Sequence, residues 1–575
     1  MRLTLARLLL LAGVLAQGAT SVRAQQSLEV QPHSSSDSAA TAEAGADKSA
    51  LIDQSTLPNA TEVKGSRPRV DPSVIEPAKT SLTKPLSSLA SPASLALPTT
   101  TSEVKIKELR PLTLAEVEEL AEVNSPSLKQ AKSKVEQAKL NLLAAYSAWY
   151  PTIGISSGLA YKDQESHTAT KEYEYYTEQY SYNQHWLTSF GATASWNLID
   201  PKRVPQIAKA RDTYEMERNT YLISLRELRL NAANAYFILQ RQDEGVDVAQ
   251  SGLRASLLSL RDAKARFKAG VATKLEVLEA ETQLSQDQTQ LTDYLGKQSI
   301  ARRNLATLLD LPQNITPTAA DPTKVVGLWQ PSLEESIIAA YAFREELDRL
   351  ILQISTNNSD ANISLSSIQP VIDLSNTFGS QRDEGINGTA ASQTDWGNYT
   401  WNANNTVGIG FKWTIFDGGR AWADYRKHKQ KAQESEFQFA SQRDAIRAEV
   451  EQSFYNLKTS TQTLKSTGMG VLSARESLRL SRLRFQAGVA SQREVVDNQR
   501  DLTRNQQAYA ESMFLYNKSI YNLRRRTGLD LIEACDISDL PVQEQKGEIY
   551  NQIDVPINPI PLENPACKVS ILQAD

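Results

Sequence analysis

Apolar residues recur along this chain at two spacings, and the two alternate in the same order twice. Tyr221, Leu225, Leu228, Ala232, Ala235 and Leu239 are separated by steps of 4, 3, 4, 3 and 4, and Val450, Phe454, Leu457, Thr461 and Leu464 repeat the pattern. Steps averaging about 3.5 residues form the seam of a left-handed coiled coil. Arg203 to Arg266 contains no proline after Pro205. A continuous helix there would be roughly 96 Å long, and it needs a partner of similar length. Gly270 and Gly488 follow the two runs. They predict the reversal points of two helical hairpins, because a residue free to take positive φ ends one helix. A further helix is predicted from about Thr113 to Trp149, with Pro126 near its middle.

Between these helical stretches the period is two. Ile153, Ile155, Leu159 and Tyr161 share a face opposite Gly154, Ser156, Gly158 and Ala160. Phe190, Ala192, Ala194, Trp196 and Leu198 do the same, as do Ile372, Leu374 and Phe378 opposite Asp373, Ser375 and Thr377. The clearest run sets Val407, Ile409, Phe411, Trp413 and Ile415 against Gly408, Gly410, Lys412 and Thr414. Each run has about the ten residues of a tilted strand crossing the hydrocarbon layer. Tyr180, Tyr182 and Trp186 precede one strand, and Trp396, Tyr399 and Trp401 another; aromatics there suit a membrane interface. The alternative is a soluble sandwich, for which the chain lacks a second set of strands. Four strands cannot close a barrel, since about eight are the minimum, and lipid does not tolerate open edges. The subunit is therefore expected to oligomerise. Two chains would give eight strands and three would give twelve; counting alone does not choose.

The order helix, two strands, hairpin occurs twice because the chain is internally duplicated. RFKAGVATKLEVLEAE from Arg266 and RFQAGVASQREVVDNQ from Arg484 share eight of sixteen positions. Pro151 and Pro370 stand 219 apart, Asp200 and Asp417 stand 217 apart, and Gly270 and Gly488 stand 218 apart. The repeats are placed at 111–327 and 328–531.

Residues 1–24 have the order of a secretory signal peptide: Arg2 and Arg7, an apolar run from Leu8 to Ala16, and a small-residue site ending at Ala24. Residues 25–110 lack Phe, Tyr and Trp and are rich in Ser, Ala, Pro and Thr, so a disordered tether is expected. An irregular tail is expected over 532–575. Removing the leader takes three arginines and no acid, moving the formal charge from −5 to −8. That balance, with no basic cluster, argues against a nucleic-acid partner. The two cysteines, Cys535 and Cys567, are candidates for a disulfide in an oxidising compartment. Among four histidines none forms a metal-like pair, and neither a phosphate loop nor a nucleophile elbow is present. Catalytic residues, metal ligands and cofactors are not expected, and the chain does not read as an enzyme.

Taken in order, LTLAEVEELAEVNSPSLKQA, AWYPTIGISSGLAY, WTIFDGGR and the two duplicated phrases resemble the TolC-like outer-membrane efflux family over about Arg110 to Leu531. The resemblance implies a mainly α protein with a membrane β-barrel. Three chains would each give four strands to a 12-stranded barrel, continued by a long α-helical coiled-coil tunnel in the periplasm. It implies a passive exit duct of a tripartite efflux or type I secretion system. The partners implied are two further copies of the chain, a periplasmic adaptor, an inner-membrane pump or ABC exporter, and outer-membrane lipid.

The hairpin tips Arg266, Phe267, Gly270 and Val271, with Arg484, Gly488 and Val489, would contact the adaptor. Glu494, Asp497, Glu276 and Phe485 would line the constricted entrance, with Glu279 on a solvated helix face. The tyrosine and arginine that lock a well-known relative correspond here to Phe485 and Ala490, so the closed state must be held otherwise. In the first repeat Asp200-Pro201-Lys202-Arg203 replaces the Asp417-Gly418-Gly419-Arg420 type of turn, and the same topology with a stiffer turn is expected.

The other reading is a periplasmic coiled-coil adaptor or structural protein, which accounts for the heptads but not for Val407 to Ile415. Extraction separates the two. A channel subunit stays in the membrane fraction until detergent is added, whereas an adaptor or filament without a lipid anchor is recovered in buffer alone.

Overall fold

A computed structural model of the chain describes residues 78–172, 175–389, 399–529 and 532. The predicted signal peptide, Trp396, Cys535, Cys567 and the side chain of Tyr182 lie outside the described residues.

The elements run β1 (Glu108–Leu112), α1 (Leu114–Asn124), α2 (Pro126–Tyr146), β2 (Thr152–Glu172), β3 (Tyr175–Ile199), α3 (Arg203–Lys268) and α4 (Lys274–Leu308). The order then repeats with β4 (Ile315–Ala319), α5 (Leu333–Phe343), α6 (Glu345–Ser366), β5 (Val371–Thr389), β6 (Tyr399–Lys412), α7 (Arg420–Gln486) and α8 (Gln492–Thr527). The helices α3 and α7 have 66 and 67 residues, or about 100 Å each. Their return helices have only 35 and 36 residues. The remaining length of α3 packs against α2 and α6, and that of α7 against α6. Of the heptad positions, Leu225, Leu228, Ala232 and Leu239 on α3 and Val450, Leu457 and Leu464 on α7 are buried in one continuous core.

The helix expected from Thr113 to Trp149 is broken in two. Ser125 ends α1 and its hydroxyl accepts the Leu128 N–H at 3.4 Å to begin α2, with Pro126 as the first helical residue. Proline lacks the N–H that would continue the ladder and pushes the preceding residue out of helical geometry. The second repeat breaks 219 residues later at Arg344, which has φ −86° and ψ 118° and no following proline.

There the break sits in a buried ion network. Arg344, 2 % exposed, meets Glu346 at 3.0 Å and Glu449 at 2.7 Å. Arg525 meets Glu346 at 2.9 Å and Glu227 at 3.3 Å. Arg226 meets Glu345 at 2.9 Å, and Arg229 meets Glu122 at 2.7 Å. Beside it, β1 and β4 form a parallel pair that the sequence pattern did not suggest.

The start of the ordered chain also differs from expectation. Residues 78–110, assigned to the tether, are folded. A 3₁₀ turn over Lys84–Leu89 buries Leu86 and Leu89 in the core. Glu119 accepts from the Thr83 N–H at 2.6 Å, and Asn124 Nδ2 donates to the Leu89 carbonyl at 2.8 Å. Absence of aromatics did not prevent order, because two leucines and borrowed polar partners suffice on a preformed surface.

The strands β2, β3, β5 and β6 form one antiparallel sheet in that order. The runs read as about ten residues extend to 21, 25, 19 and 14. The extra length is polar, so it has no lipid-facing alternation to be read, yet its backbone pairing continues. One face carries the apolar set, with Ile155 and Ile409 each 73 % exposed. The register aligns Tyr161 with Trp186, Trp186 with Glu384, and Glu384 with Tyr399. With Trp401 these make one aromatic level, and Trp149, Trp196 and Trp413 make a second near the helices. Trp186 and Trp196 are ten residues apart, about 34 Å along a strand and about 26 Å at a tilt of ~40°. That matches the apolar band of an outer-membrane barrel. Tyr180 does not share the upper level; it lies six residues beyond Trp186 on β3.

The strand-to-helix turns keep one topology. Asp200 accepts the Lys202 N–H at 3.0 Å. Asp417 accepts from the Gly419 and Ala421 N–H groups at 3.0 and 2.8 Å.

Both hairpins reverse by the same device. The Val271 N–H donates to the Arg266 carbonyl and the Gly270 N–H to that of Phe267, both at 3.0 Å; Val489 to Arg484 and Gly488 to Phe485 repeat this at 2.9 and 3.0 Å. These are Schellman closures, with Gly270 at φ +76° and Gly488 at φ +77°. A Cβ at either position meets no heavy atom within 4 Å, so backbone strain alone resists substitution. Gly270→Ala and Gly488→Ala should each cost about 1 kcal/mol, read as a lowered denaturation midpoint in detergent. An unchanged midpoint would mean that the tips are not held in this conformation.

Glu346 generates a second expectation. Burial opposes its ionisation, but the Arg344 hydrogen bond and the charges of Arg525 and Arg344 outweigh it and hold the carboxyl at about 2. Burial pushes its neighbour Glu345 the other way, despite Arg226. A depressed carboxyl stabilises fully above its unfolded value and loses that contribution as pH falls through the folded value. Acid should therefore destabilise the protein between about pH 4.5 and 2 less steeply in Glu346→Gln than in the wild type. Arg344→Ala should cost about 3 kcal/mol at neutral pH by stranding buried carboxylates.

Candidate functional site

The duplicated phrase builds two tips, each a closing turn followed by a helix start. In the first, Thr273 caps α4 by a reciprocal box. The Glu276 N–H donates to the Thr273 hydroxyl at 3.4 Å, and the Glu276 carboxylate accepts the Thr273 N–H at 3.2 Å. In the second, Ser491 caps α8 through the Glu494 N–H at 3.3 Å, but the Glu494 carboxylate turns to Arg484, 2.8 Å away. Sequence-equivalent acids thus have different geometry: Glu276 is directed at its own helix start and Glu494 at the preceding helix. Asp497 lies between Arg500 at 3.4 Å and Arg493 at 3.9 Å. Glu279 is half-buried on α4 and Ala490 half-buried in the second tip. Phe267, Val271, Leu275 and Val489 are exposed apolar groups at the two ends.

The two hairpins touch through groups of another kind. The Arg266 guanidinium lies 4.3 Å from the centre of the Phe485 ring. Gln492 of α8 donates to the Ser259 hydroxyl of α3. Arg500 of α8 donates to Gln283 of α4 and reaches Gln286 at 3.4 Å. Behind Gln283 the polar chain continues inward. Its amide donates to Asp287 at 2.8 Å, and Asp287 accepts from the Ser256 hydroxyl at 2.6 Å. Ser256, Gln283 and Asp287 are all buried.

Of the residues singled out from sequence, Arg266 with Phe485, and Glu494 with Arg484, are brought together. Glu276 and Asp497 are held by partners within their own hairpins. Sequence reasoning missed Arg500, Gln283, Asp287, Ser256 and Gln492. A signal existed for two of them. Ala280, Gln283 and Asp287 step by 3 and 4 and so occupy seam positions of α4, and polar residues on a seam must find buried partners. The Arg266–Phe485 contact had no such signal, because it joins residues 219 apart and depends on how the hairpins lie against each other.

Charged groups lie near solvent at the ends of long helices, joined across hairpins by contacts of modest strength. An exposed cation–π pair is worth about 0.5–1 kcal/mol, and a hydrogen bond to a charged group about 1.5–3 kcal/mol.

Comparison with known proteins identifies the family. The model of the family described as "Outer membrane efflux protein" matches residues 117–310 and 339–529, one segment in each repeat. The outer membrane protein TolC of Vibrio cholerae is 21% identical over 424 residues, 72% of this chain and 90% of the relative. Nodulation protein T of Rhizobium leguminosarum bv. trifolii is 22% identical over 395 residues, 67% of this chain and 79% of the relative. Among solved structures, the outer membrane protein VceC of Vibrio cholerae superposes with a TM-score of 0.57 at 16% identity, covering 72% of this chain and 96% of its own. The open state of the MtrE outer membrane channel of Neisseria gonorrhoeae gives 0.54 at 16% identity, covering 78% and 98%. The chain therefore belongs to the outer membrane efflux protein family, as an outer-membrane protein whose four-stranded sheet is a share of a β-barrel and whose long helices form the periplasmic tunnel.

Proposed function

We propose that three copies of this chain assemble into one passive exit duct, the outer-membrane component of a tripartite efflux or type I secretion system. The observation that carries this reading is the sheet. Its apolar face is exposed on the outer strands, at Ile153, Ile155, Val407 and Ile409, and those strands, β2 and β6, end the strand order within the chain. Lipid does not accept such edges, and β2 of one copy pairing with β6 of the next would leave none. Three copies give twelve strands, a barrel wide enough to conduct. The periplasmic adaptor reading fits less well, since a protein in water would have no reason to display Ile153, Ile155, Val407 and Ile409 on one face.

In this reading the tips are the periplasmic entrance. Phe267, Val271 and Val489, set on the turns at Gly270 and Gly488 and flanked by Arg266 and Arg484, offer an apolar surface with basic edges to an adaptor. Opening would then be supplied from outside by that adaptor and an inner-membrane pump or ABC exporter. Glu494 and Asp497 of three copies would place carboxylates around the opening and favour cations, with Glu276 contributing from the first hairpin. Closure would depend on Arg266 against Phe485 and on Arg500 against Gln283, in place of the hydroxyl-based lock that Phe485 and Ala490 cannot make. A few kcal/mol per subunit is enough to keep such a gate shut and small enough for a docking partner to overcome.

Single-channel recording in planar bilayers tests this. The wild type should give small, cation-selective steps, and Glu494→Ala, Asp497→Ala should lose that selectivity. Arg266→Ala, Arg500→Ala should enlarge the steps or raise the open fraction. Silence from all three proteins, together with solubility without detergent, would end the duct reading in favour of the adaptor.

A further inference from the structure

The first tip stands on a stretch of α3 that carries more positive charge than its own hairpin uses. Residues 254–268 hold five cations, Arg254, Arg261, Lys264, Arg266 and Lys268, against one acid, Asp262. Arg266 meets the Phe485 ring, and Lys264 meets Glu281 at 2.9 Å. Arg254, Arg261 and Lys268 are exposed and form no ion pair among the described residues. They follow one another at steps of seven, so they share one line along the helix, about 21 Å long.

That line lies opposite the contacts α3 makes inside the subunit. Ser256 and Ala263, also seven apart, are buried. They stand two residues after Arg254 and Arg261, about 200° around the helix. Ser256 bonds Asp287 of α4, and Ser259 bonds Gln492 of α8. On the outward side Leu257 and Leu258 flank the cations, 48 and 59 % exposed. Leu257 and Arg261 line a shallow hollow there with Leu260, Lys264, Ala265 and Lys268.

A helix C-terminus favours cations only within its last turn, which accounts for Lys268 but not for Arg254 or Arg261. Nor is this side an edge between copies. In this part of the subunit α4 packs on α3, α3 on α8 and α8 on α7, so a neighbouring copy meets the layer at α4 or α7. The charge and the two leucines are left for a different partner.

We propose that the outward side of α3 over residues 254–268 is a docking surface for an acidic amphipathic helix. The partner is the periplasmic adaptor, an assignment that rests on the exit-duct reading above. Carboxylates spaced at seven would lie against Arg254, Arg261 and Lys268, and apolar side chains against Leu257 and Leu258, as flanking charges and a seam do in a coiled coil. Burial of the leucines supplies attraction, while the charges fix register and reject basic helices.

Fluorescence anisotropy tests this with two labelled helical peptides and the full-length protein in detergent. Both peptides carry one leucine seam, flanked by glutamate in the first and by lysine in the second. The glutamate peptide should bind saturably, and more weakly as salt rises; the lysine peptide should not bind. Arg254→Glu, Arg261→Glu, Lys268→Glu together should weaken the glutamate peptide roughly tenfold or more. Lys132→Glu, Lys134→Glu, Lys139→Glu on α2, an equal change of net charge, should leave it within about twofold. Failure of the glutamate peptide to bind, equal binding of both peptides, or an equal loss in the two variants would overturn the surface. If the α3 variant does not fold, the contrast between the peptides on the wild type decides. Single-channel recording of the wild type separates this from the duct. Conduction without peptide binding keeps the duct and removes the docking surface, whereas peptide binding by a protein that never conducts removes the adaptor as its partner.

Discussion

A helix of about 100 Å has to be covered along its whole length, and the rest of the molecule follows from how that is done. No single return helix matches α3 or α7. Instead α4 and α8 cover the tip-ward part, and the shorter α2 and α6 cover the part towards the sheet. Two shorter helices meeting along a longer one leave ends, and each end exposes backbone groups that need partners. The zone where they meet is where α1, α5, the β1–β4 pair, the folded segment from residue 78 and the buried arginine–glutamate network all lie. It joins the two repeats through contacts that neither repeat makes alone, such as Arg226 of α3 with Glu345 of α6.

The two ends of the long helices then face different solvents, and their chemistry divides accordingly. Towards the sheet the surface is isoleucine, valine and phenylalanine between two aromatic levels. Towards the tips it is arginine, glutamine and carboxylate around a few exposed apolar groups such as Val271 and Val489, with seam positions that elsewhere hold leucine given to Gln283 and Asp287. A leucine seam would hold the hairpins together strongly and indiscriminately. Polar seam groups hold them in one register at lower cost in separation, because water can replace each bond as it breaks. That property lies at the tip end, where the entrance is proposed.

The duplication is a constraint as well as a history. Each repeat supplies two strands and one hairpin, so the subunit contributes two tips that are similar but not interchangeable. Thr273 and Glu276 form a closed capping box, while Ser491 and Glu494 leave the carboxylate directed to Arg484. The difference lies in whether an acid three residues into a helix satisfies its own cap or a neighbour's charge.

Much of this was legible in the sequence. The heptads over Tyr221–Leu239 and Val450–Leu464, the reversals at Gly270 and Gly488 and the alternation at Val407–Ile415 are local patterns with fixed periods. A helix seam or a strand face imposes its period whatever surrounds it, so the hairpins, the strands and the lipid-facing side could be read directly. Tertiary structure decided the rest. Pro126 stood near the middle of what the sequence read as one helix, and the counterpart break at Arg344, which pairs with Glu449 105 residues away, carries no proline at all. The polar ends of the strands carry no alternation, and only pairing defines them. Leu86 and Leu89 are buried because a surface made elsewhere receives them. Arg500 reaches Gln283 across 217 residues. Each of these depends on groups brought close by folding, and the direction in which a side chain finds its partner is not written in its own neighbourhood.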